Sequence, residues 1–292
     1  MGKIWCIIVT NKPLEVRAVN KLGVLIAVNR NTDFSEKLGK VKEYGFECCQ
    51  LSCWDMGMYT DECAERIKKA VEETGIEVST LWAGWSGPRE WNFTGGPMTL
   101  GIVPPAFRMQ RAEELIEAGR FANKIGVNKV ATHAGFLPEN MNDPEYLGVV
   151  AILRYIVNAY KPLGVSFLFE TGQETPITLL RIIEELGAEN VGINLDTANL
   201  ILYGKANTAD AVTVFGKYVM DTHIKDGLYP TNGTKLGKET KVGEGMADIP
   251  EVIKRLNEVG YTGNYIIERE ISGDQQIKDI LDTKKYLEDI LG

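Results

Sequence analysis

The sequence contains few histidines and cysteines and no long apolar segment. Two of its 292 residues are His and five are Cys. No apolar run approaches the ~20 residues that a membrane-spanning helix needs, and the amino-terminal segment lacks the apolar core and cleavage site of a signal peptide. The odd number of cysteines, with no Cys-x-x-Cys pair, argues against a disulfide framework and a structural zinc site. We therefore expect a cytoplasmic protein whose thiols are reduced and mostly buried.

Basic residues are also in deficit. The chain has 32 Lys and Arg against 40 Asp and Glu, which gives a formal net charge of −8 at pH 7. Nucleic acids and anionic membranes bind basic patches, so neither is expected as a partner. The GxGxxG and GxxxxGK(S/T) motifs are absent, and no nucleotide cofactor is expected.

Short apolar segments alternate with longer amphipathic ones along most of the chain, and many of the latter end at glycine. This alternation predicts strand–helix units and a parallel sheet, and eight such units close into a single-domain (β/α)8 or TIM barrel. The predicted strands are 24–28, 46–53, 77–83, 129–132, 166–169, 191–195, 218–222 and 265–267. The predicted helices are 33–44, 60–74, 105–125, 144–163, 176–186, 207–216, 249–259 and 274–291.

Three segments do not fit this alternation. Residues 1–22 are interpreted as an N-terminal extension, either an extra strand or a plug across one end of the barrel. The strand-to-helix connections 84–104 and 226–247 are too long for turns, and loops of this length in a compact domain are usually functional. Because both follow strands, both are expected on the face of the barrel where TIM-barrel active sites lie.

The first long loop is rich in aromatic residues. Trp85, Trp91 and Phe93 either pack this loop onto the barrel or form a lid that excludes water and stacks on a substrate ring. The two roles are compatible. Trp85 and Trp91 are therefore candidates for substrate contact.

Each of the last four predicted strands ends in a side chain that can bind a metal ion. Glu170, Asp196, His223 and Glu268 follow the fifth to eighth strands in order. Each residue alone is more typical of a helix cap, a salt bridge or a core histidine. Adjacent strands bring the four tips together, however, and three clustered carboxylates repel one another unless a cation neutralises them. We therefore predict one divalent ion, and these oxygen and nitrogen ligands suit Mn²⁺, Mg²⁺, Co²⁺ and Zn²⁺ alike.

The chain resembles the xylose isomerase-like TIM-barrel superfamily, in particular its sugar phosphate isomerase/epimerase branch. The resemblance covers nearly the whole barrel and is strongest in ETGQETP, NLDTANLILYG, HIKDG with a following GEG, and GYTGNYIIEREISGDQQIKDI. It implies that the same four residues bind one metal ion. It also implies that Glu170 and Glu268 form an acid/base pair, in which one removes a proton beside a carbonyl and the other returns it on the opposite face.

The activity that this resemblance implies is the isomerisation or epimerisation of a small ketose-like carbohydrate through a metal-stabilised enediolate. One departure concerns Asn199, because many members of the superfamily carry His at this position, three residues after the sixth-strand acid. Asn199 remains a candidate substrate contact, but a second metal and the His-rich zinc cluster of the endonuclease IV branch are not expected. Barrels of this kind often form dimers or tetramers, and no stretch of the chain identifies an interface.

Two further residues are candidates for catalysis or substrate binding. His133 ends the fourth strand and is expected either to bond to local backbone or to serve as a substrate contact or an auxiliary base. Lys225 follows His223 by two residues, so the two side chains share a face if the strand continues that far. Lys225 would then reach a substrate oxygen, or else pair with Asp226 at the surface.

Two other functions stay open. A lyase or dehydratase acting on a keto-inositol or a 3-keto-glycoside would begin with the same proton abstraction and then expel a leaving group. A sugar-binding or assembly protein would keep the fold without the activity, although it would not need three clustered acids. No stretch resembles a phosphate cradle, so free sugars and sugar phosphates both remain candidates for the substrate.

Overall fold

The computed structural model describes residues 20–292. Eight parallel strands form a closed barrel in which consecutive strands are neighbours and the last strand pairs with the first. In chain order the strands are β1 (Leu22–Val28), β2 (Cys48–Cys53), β3 (Glu77–Ala83), β4 (Lys129–Thr132), β5 (Ser166–Glu170), β6 (Val191–Asp196), β7 (Val219–Ile224) and β8 (Tyr265–Ile267). The predicted (β/α)8 barrel is therefore confirmed.

A helix follows each strand. These helices are α1 (Phe34–Glu43), α2 (Asp61–Thr74), α3 (Pro105–Lys124), α4 (Tyr146–Tyr160), α5 (Pro176–Leu186), α6 (Thr208–Phe215), α7 (Ile249–Glu258) and α8 (Asp274–Leu291). The side chains of Asp33 and Thr60 cap α1 and α2 by accepting a backbone N–H. In residues 20–292, no helix combines the length and the apolar character that crossing a bilayer requires.

The structure differs from the sequence-based expectation mainly at element boundaries. Strand β1 starts at Leu22, so this residue belongs to the barrel, whereas the rest of the proposed extension falls almost entirely outside the described residues. Helix α4 is shorter than predicted and gives way to a 3-10 turn at Lys161–Leu163. A short helix, Asn199–Leu202, directly after β6 was not predicted.

The strands separate two regions of the core. A large apolar cluster fills the space between the strands and the helices, and a small one of Trp82, Ala131 and Leu168 is separate from it. These three residues pair across β3, β4 and β5. Because side chains alternate along a strand, they point into the barrel.

Polar residues occupy the barrel interior at the end remote from the predicted metal site. The carboxylate of Asp221 is fully buried and accepts hydrogen bonds from Ser79 Oγ at 2.9 Å and Thr80 Oγ1 at 2.6 Å. Lys129 Nζ lies 3.0 Å from the same carboxylate. This network connects β3, β4 and β7 at the ends of the strands remote from the predicted site.

Both long loops have internal structure. The 84–104 loop contains the short helix Gly96–Thr99. The 226–247 loop contains an antiparallel hairpin of Asp226–Leu228 and Lys238–Thr240. The carboxylate of Asp226 accepts hydrogen bonds from four backbone N–H groups of this loop, at Gly227, Gly243, Gly245 and Ala247.

Candidate metal centre

The four predicted metal ligands meet at the carboxyl ends of β5 to β8. Glu170, Asp196, His223 and Glu268 each contribute one ligand atom, and these atoms all lie within 4.8 Å of one another. His223 Nδ1 is 2.9 Å from Glu170 Oε1 and 3.2 Å from Glu268 Oε2. The strand register explains the meeting, because Asp196 pairs directly with His223 and the backbone N–H of Glu268 donates to Ile224 on β7.

A chain of buried amides orients two of these ligands. His223 Nε2 lies 2.8 Å from Gln50 Oε1, and Gln50 Nε2 donates to Asn194 Oδ1 at 3.0 Å. The Asn194 amide in turn donates to Glu170 Oε2. Because Gln50 Oε1 can only accept, His223 Nε2 carries a proton, and Nδ1 is the nitrogen that a metal ion would bind.

Asp196 is held in a comparable way. Its Oδ1 accepts hydrogen bonds from the backbone N–H groups of Ala198 and Asn199, each at 2.8 Å. Within residues 20–292, Asp196 Oδ2 and His223 Nδ1 are buried without a hydrogen-bond partner. Buried polar atoms of this kind are costly unless they are used. A carboxylate oxygen and an imidazole nitrogen without hydrogen-bond partners, next to two further carboxylates, fit the ligand set of a divalent cation.

Without a cation, burial and the clustered carboxylates shift the pKa values of Asp196 and His223. Burial raises the pKa of Asp196 to about 8, and the neighbouring Glu268 and Glu170 add to the effect. Burial lowers the pKa of His223, but Glu170 and Glu268 outweigh it, and the net pKa lies well above the ordinary value. A bound divalent ion would replace these protons, so metal binding and proton release are coupled.

Lys225 provides the positive charge beside the cluster. Its Nζ lies 2.9 Å from Asp196 Oδ2, off the direction of a hydrogen bond, and 3.2 Å from Glu268 Oε2 and 2.7 Å from Glu270 Oε1. These three carboxylates raise the pKa of Lys225 although burial opposes them. Lys225 was expected either to face the site or to pair with Asp226 at the surface. Asp226 binds the backbone of the 226–247 loop, and Lys225 faces the site.

A cavity of about 280 Å³ opens next to this cluster. One wall is aromatic. The ring centroid of Trp54 lies 5.2 Å from that of Trp82 and 6.3 Å from that of Trp91. The ring centroids of Trp91 and His133 are 5.2 Å apart. The lining consists of Leu25, Ser52, Trp54, Trp82, Trp91, His133, Glu170, Asn199, Leu202, Tyr203, Lys225, Leu236, Glu268 and Glu270.

The predicted substrate contacts divide into two groups. Trp91, Asn199 and Lys225 line the cavity. Trp85 lies behind the wall, fully buried, with the guanidinium of Arg111 4.2 Å from its ring centroid. For Trp85, the packing role is the one that the geometry favours.

His133 also lines the cavity, at the end of β4. Burial lowers its pKa, so the imidazole is neutral. Among the described residues, its buried Nδ1 has no hydrogen-bond partner, so local backbone does not explain this side chain.

Four residues next to the cluster and the cavity were not predicted from the sequence. Trp54 immediately follows β2 and Trp82 lies near the end of β3, and the rule applied to the acidic strand ends would have found both. Gln50 and Asn194 lie inside strands, and no local pattern distinguishes them from ordinary core positions.

The family model of the xylose isomerase-like TIM barrel matches residues 38–290. The chain belongs to this family. The resemblance inferred from the sequence is therefore confirmed. A crystal structure of a xylose isomerase domain protein from Planctomyces limnophilus superposes on the chain with a TM-score of 0.85 and 28% identity, covering 92% of this chain and 97% of that one.

Two relatives extend this picture of the xylose isomerase-like family. An uncharacterised protein of Methanocaldococcus jannaschii is 27% identical over 93% of this chain and 89% of its own length. An inosose dehydratase of Lacticaseibacillus casei is 25% identical over 51% of this chain, and the match spans 56% of that enzyme.

Proposed function

We propose that the protein is a divalent-metal-dependent isomerase or epimerase of a small carbohydrate, which removes and returns a proton beside a carbonyl group. The observation that supports this most directly is the set of four ligand atoms within 4.8 Å of one another. Two of the residues that supply them, Glu170 and Glu268, also line the adjacent cavity. The cluster therefore combines a metal-binding donor set with two carboxylates in reach of a bound substrate.

Glu170, Asp196, His223 and Glu268 would hold the ion. When bound, a divalent ion polarises the carbonyl and the adjacent hydroxyl of the substrate and stabilises negative charge on their oxygens. The donor set fits Mn²⁺, Mg²⁺, Co²⁺ and Zn²⁺.

Glu170 and Glu268 would transfer the proton. A hydrogen beside a carbonyl is weakly acidic, so its removal needs a base within hydrogen-bond reach. The two glutamates lie at the ends of β5 and β8, which are the outer strands of the four that build the cluster. Both have a carboxylate oxygen near His223 Nδ1, Glu170 at 2.9 Å and Glu268 at 3.2 Å. One takes the proton, and return of a proton by the other to the opposite face inverts the carbon. If a proton instead returns to the former carbonyl carbon, and the hydroxyl proton moves to the former carbonyl oxygen, the sugar is isomerised.

Other cavity residues would bind the substrate and steer its charge. The Lys225 ammonium, 3.2 Å from Glu268 Oε2, stabilises negative charge that develops on a nearby oxygen. Asn199 offers an amide to a hydroxyl, and Trp91 offers an apolar surface to the sugar carbons. Neutral His133 donates or accepts a hydrogen bond and is placed to act as an auxiliary base.

Hydrogen exchange tests this proposal. The metal-loaded protein in D₂O should incorporate deuterium at the carbon beside the carbonyl of one or more members of a ketose panel, read by mass spectrometry. Glu170→Gln and Glu268→Gln should each slow exchange by at least about 100-fold, as removal of a general base does. Glu139→Gln, at an exposed carboxylate 3.7 Å from Lys205, removes the same charge away from the cluster and should leave exchange unchanged.

Two results would contradict this proposal. Exchange that survives both cluster substitutions would assign the chemistry to other residues. An absence of exchange with every ketose, in the presence of each of the four metals, would contradict the proposed reaction.

A dehydratase acting on a keto-inositol or a 3-keto-glycoside is the second candidate. The position of Lys225 favours it, since this ammonium lies between Glu268 and Glu270 at the cavity and could protonate a departing hydroxyl group. The relative named an inosose dehydratase is in line with this chemistry. In that reaction a glutamate removes the proton beside the carbonyl, and the hydroxyl group on the next carbon takes a proton from Lys225 and leaves as water. Product mass separates the candidates, because only the dehydratase product is lighter by one water.

A further inference from the structure

We infer that the cavity accepts uncharged carbohydrates and rejects phosphorylated ones, and that Glu270 is the residue that sets this specificity. The inference rests on the proposed function, because it assigns the substrate class of the same site. It depends on which charges line the cavity and on how each of them is already engaged.

Lys225 is the one Lys or Arg among residues 20–292 that lines the cavity. Apart from the metal ion, a phosphate group in this cavity would have Lys225 as its cationic partner. Its Nζ is already within 3.2 Å of oxygens from Asp196, Glu268 and Glu270, and the Glu270 contact is the shortest at 2.7 Å. The ammonium is therefore surrounded by carboxylates before any ligand arrives.

Glu270 is held in place by the rest of the fold. Its backbone N–H donates to Glu239 Oε1 at 3.0 Å, and Glu239 belongs to the hairpin of the 226–247 loop. The other carboxylate oxygen of Glu239 lies 2.7 Å from Arg269 NH1, and Arg269 Nε donates to Asp279 on α8 at 2.9 Å. Glu270 is thus fixed from two sides, while its half-exposed side chain faces both Lys225 and the cavity.

The nearby His133 and Arg89 do not add a second positive charge to the cavity lining. Burial keeps His133 neutral. The guanidinium of Arg89 lies 4.4 Å from the Trp54 ring centroid and outside the cavity lining. Four carboxylates, one ammonium and a divalent ion leave one net negative charge, which opposes the binding of a phosphate dianion.

The rest of the lining is complementary to an uncharged polyol. The indoles of Trp54, Trp82 and Trp91 offer an apolar surface to the C–H face of a sugar, and Ser52 and Asn199 offer hydrogen bonds to hydroxyl groups. This combination of an aromatic wall and neutral polar groups supplies no further cation to an added phosphate.

Binding of matched probes tests this inference independently of turnover. The probes are D-fructose with D-fructose 6-phosphate, and myo-inositol with its 1-phosphate, titrated into metal-loaded protein by calorimetry. Wild type should bind each parent compound at least about tenfold more tightly than its phosphate ester. Glu270→Gln keeps the shape of the side chain, frees Lys225 from one carboxylate and should shift this ratio about tenfold toward the ester. Glu90→Gln, at an exposed position on the 84–104 loop outside the cavity lining, should leave the ratio within about twofold.

Three results would overturn the inference: esters that bind wild type as tightly as their parents, Glu270→Gln with the ratio of Glu90→Gln, or no saturable binding of either neutral parent. The proposed function fails separately. Protein that binds the neutral probes with the expected ratios but exchanges no deuterium would contradict the reaction and leave the specificity intact.

Discussion

Three of the four predicted ligands point one atom into the cluster while another of their polar atoms is held by the protein. His223 is held through Gln50, Glu170 through Asn194, and Asp196 through the N–H groups at the start of the Asn199–Leu202 helix. This arrangement fixes the ligand orientations before a metal arrives, and it also selects the tautomer of His223. The outer partners are therefore as informative about the site as the ligands.

The first prediction concerns Gln50. Replacing it by Leu removes the acceptor for His223 Nε2–H and the donor to Asn194, so two ligands lose their orientation together. We expect Gln50→Leu to weaken metal affinity by about 10- to 100-fold, measured by titration with Mn²⁺.

Gln173→Leu is the matched control, because Gln173 is equally buried but is separate from this amide chain. Its metal affinity should stay at the wild-type value. An unchanged affinity in Gln50→Leu would mean that the amide chain does not tune the ligands.

At the scale of elements, one buried arginine organises the 84–104 loop. Arg111 on α3 donates to the backbone carbonyls of Ser86, Pro88, Thr99 and Gly101 at 2.7 to 3.1 Å. Its guanidinium also lies against Trp85, which contacts Trp54 and Trp91 of the cavity wall. The position of the aromatic wall therefore depends on a residue outside the loop.

The second prediction follows from this anchor. Arg111→Lys keeps the charge but cannot reach four carbonyls with one ammonium group. We expect faster amide hydrogen exchange across residues 84–104, with little change in α3 itself, and weaker binding of the neutral sugar probes. Arg120→Lys, at an exposed position on the same helix paired with Glu117, is the control. Equal exchange rates in both variants would show that the loop holds its conformation without Arg111.

The hairpin in the 226–247 loop shows where sequence patterns stop being informative. The glycines and the length of this segment predict a loop, and its two strands have three residues each. The hairpin depends on Asp226, whose carboxylate binds N–H groups as far along the chain as Ala247. Such a contact between distant positions has no periodicity that the sequence could reveal.

At the scale of the whole molecule, the two ends of the barrel differ in role. The carboxyl end holds the cluster and the cavity, whereas the other end is closed by Asp221 and its partners. TIM barrels commonly separate activity and stability in this way.

The third prediction concerns that stabilising end. Lys129→Met leaves the fully buried Asp221 without its cationic partner, and we expect a loss of about 3 kcal/mol in the free energy of unfolding. Chemical denaturation measures it, and metal binding by the folded variant should be normal. Lys68→Met, at an exposed pair with Glu65, should cost less than about 1 kcal/mol. A similar cost for both substitutions would contradict the structural role of the buried pair.

The regular parts of the molecule could be predicted from the sequence because they follow local rules. Apolar segments and terminal glycines located all eight strands and their helices, and the polar residues at successive strand ends identified the side chains that now meet within 4.8 Å. The role of Gln50 could not be predicted because its partner His223 is 173 positions away. Arg111 escaped because an arginine on an amphipathic helix ordinarily faces solvent.

Metal content tests the central claim most directly. The proteins are incubated with Mn²⁺, freed of excess ion and analysed for bound metal. The account predicts about one equivalent per chain in wild type and in Glu270→Gln, whose carboxylate lies outside the ligand set, and a clear loss in Glu268→Gln. Wild type that stays empty after incubation with Mn²⁺, Co²⁺, Mg²⁺ and Zn²⁺ in turn, or Glu268→Gln that retains the full equivalent, would contradict it.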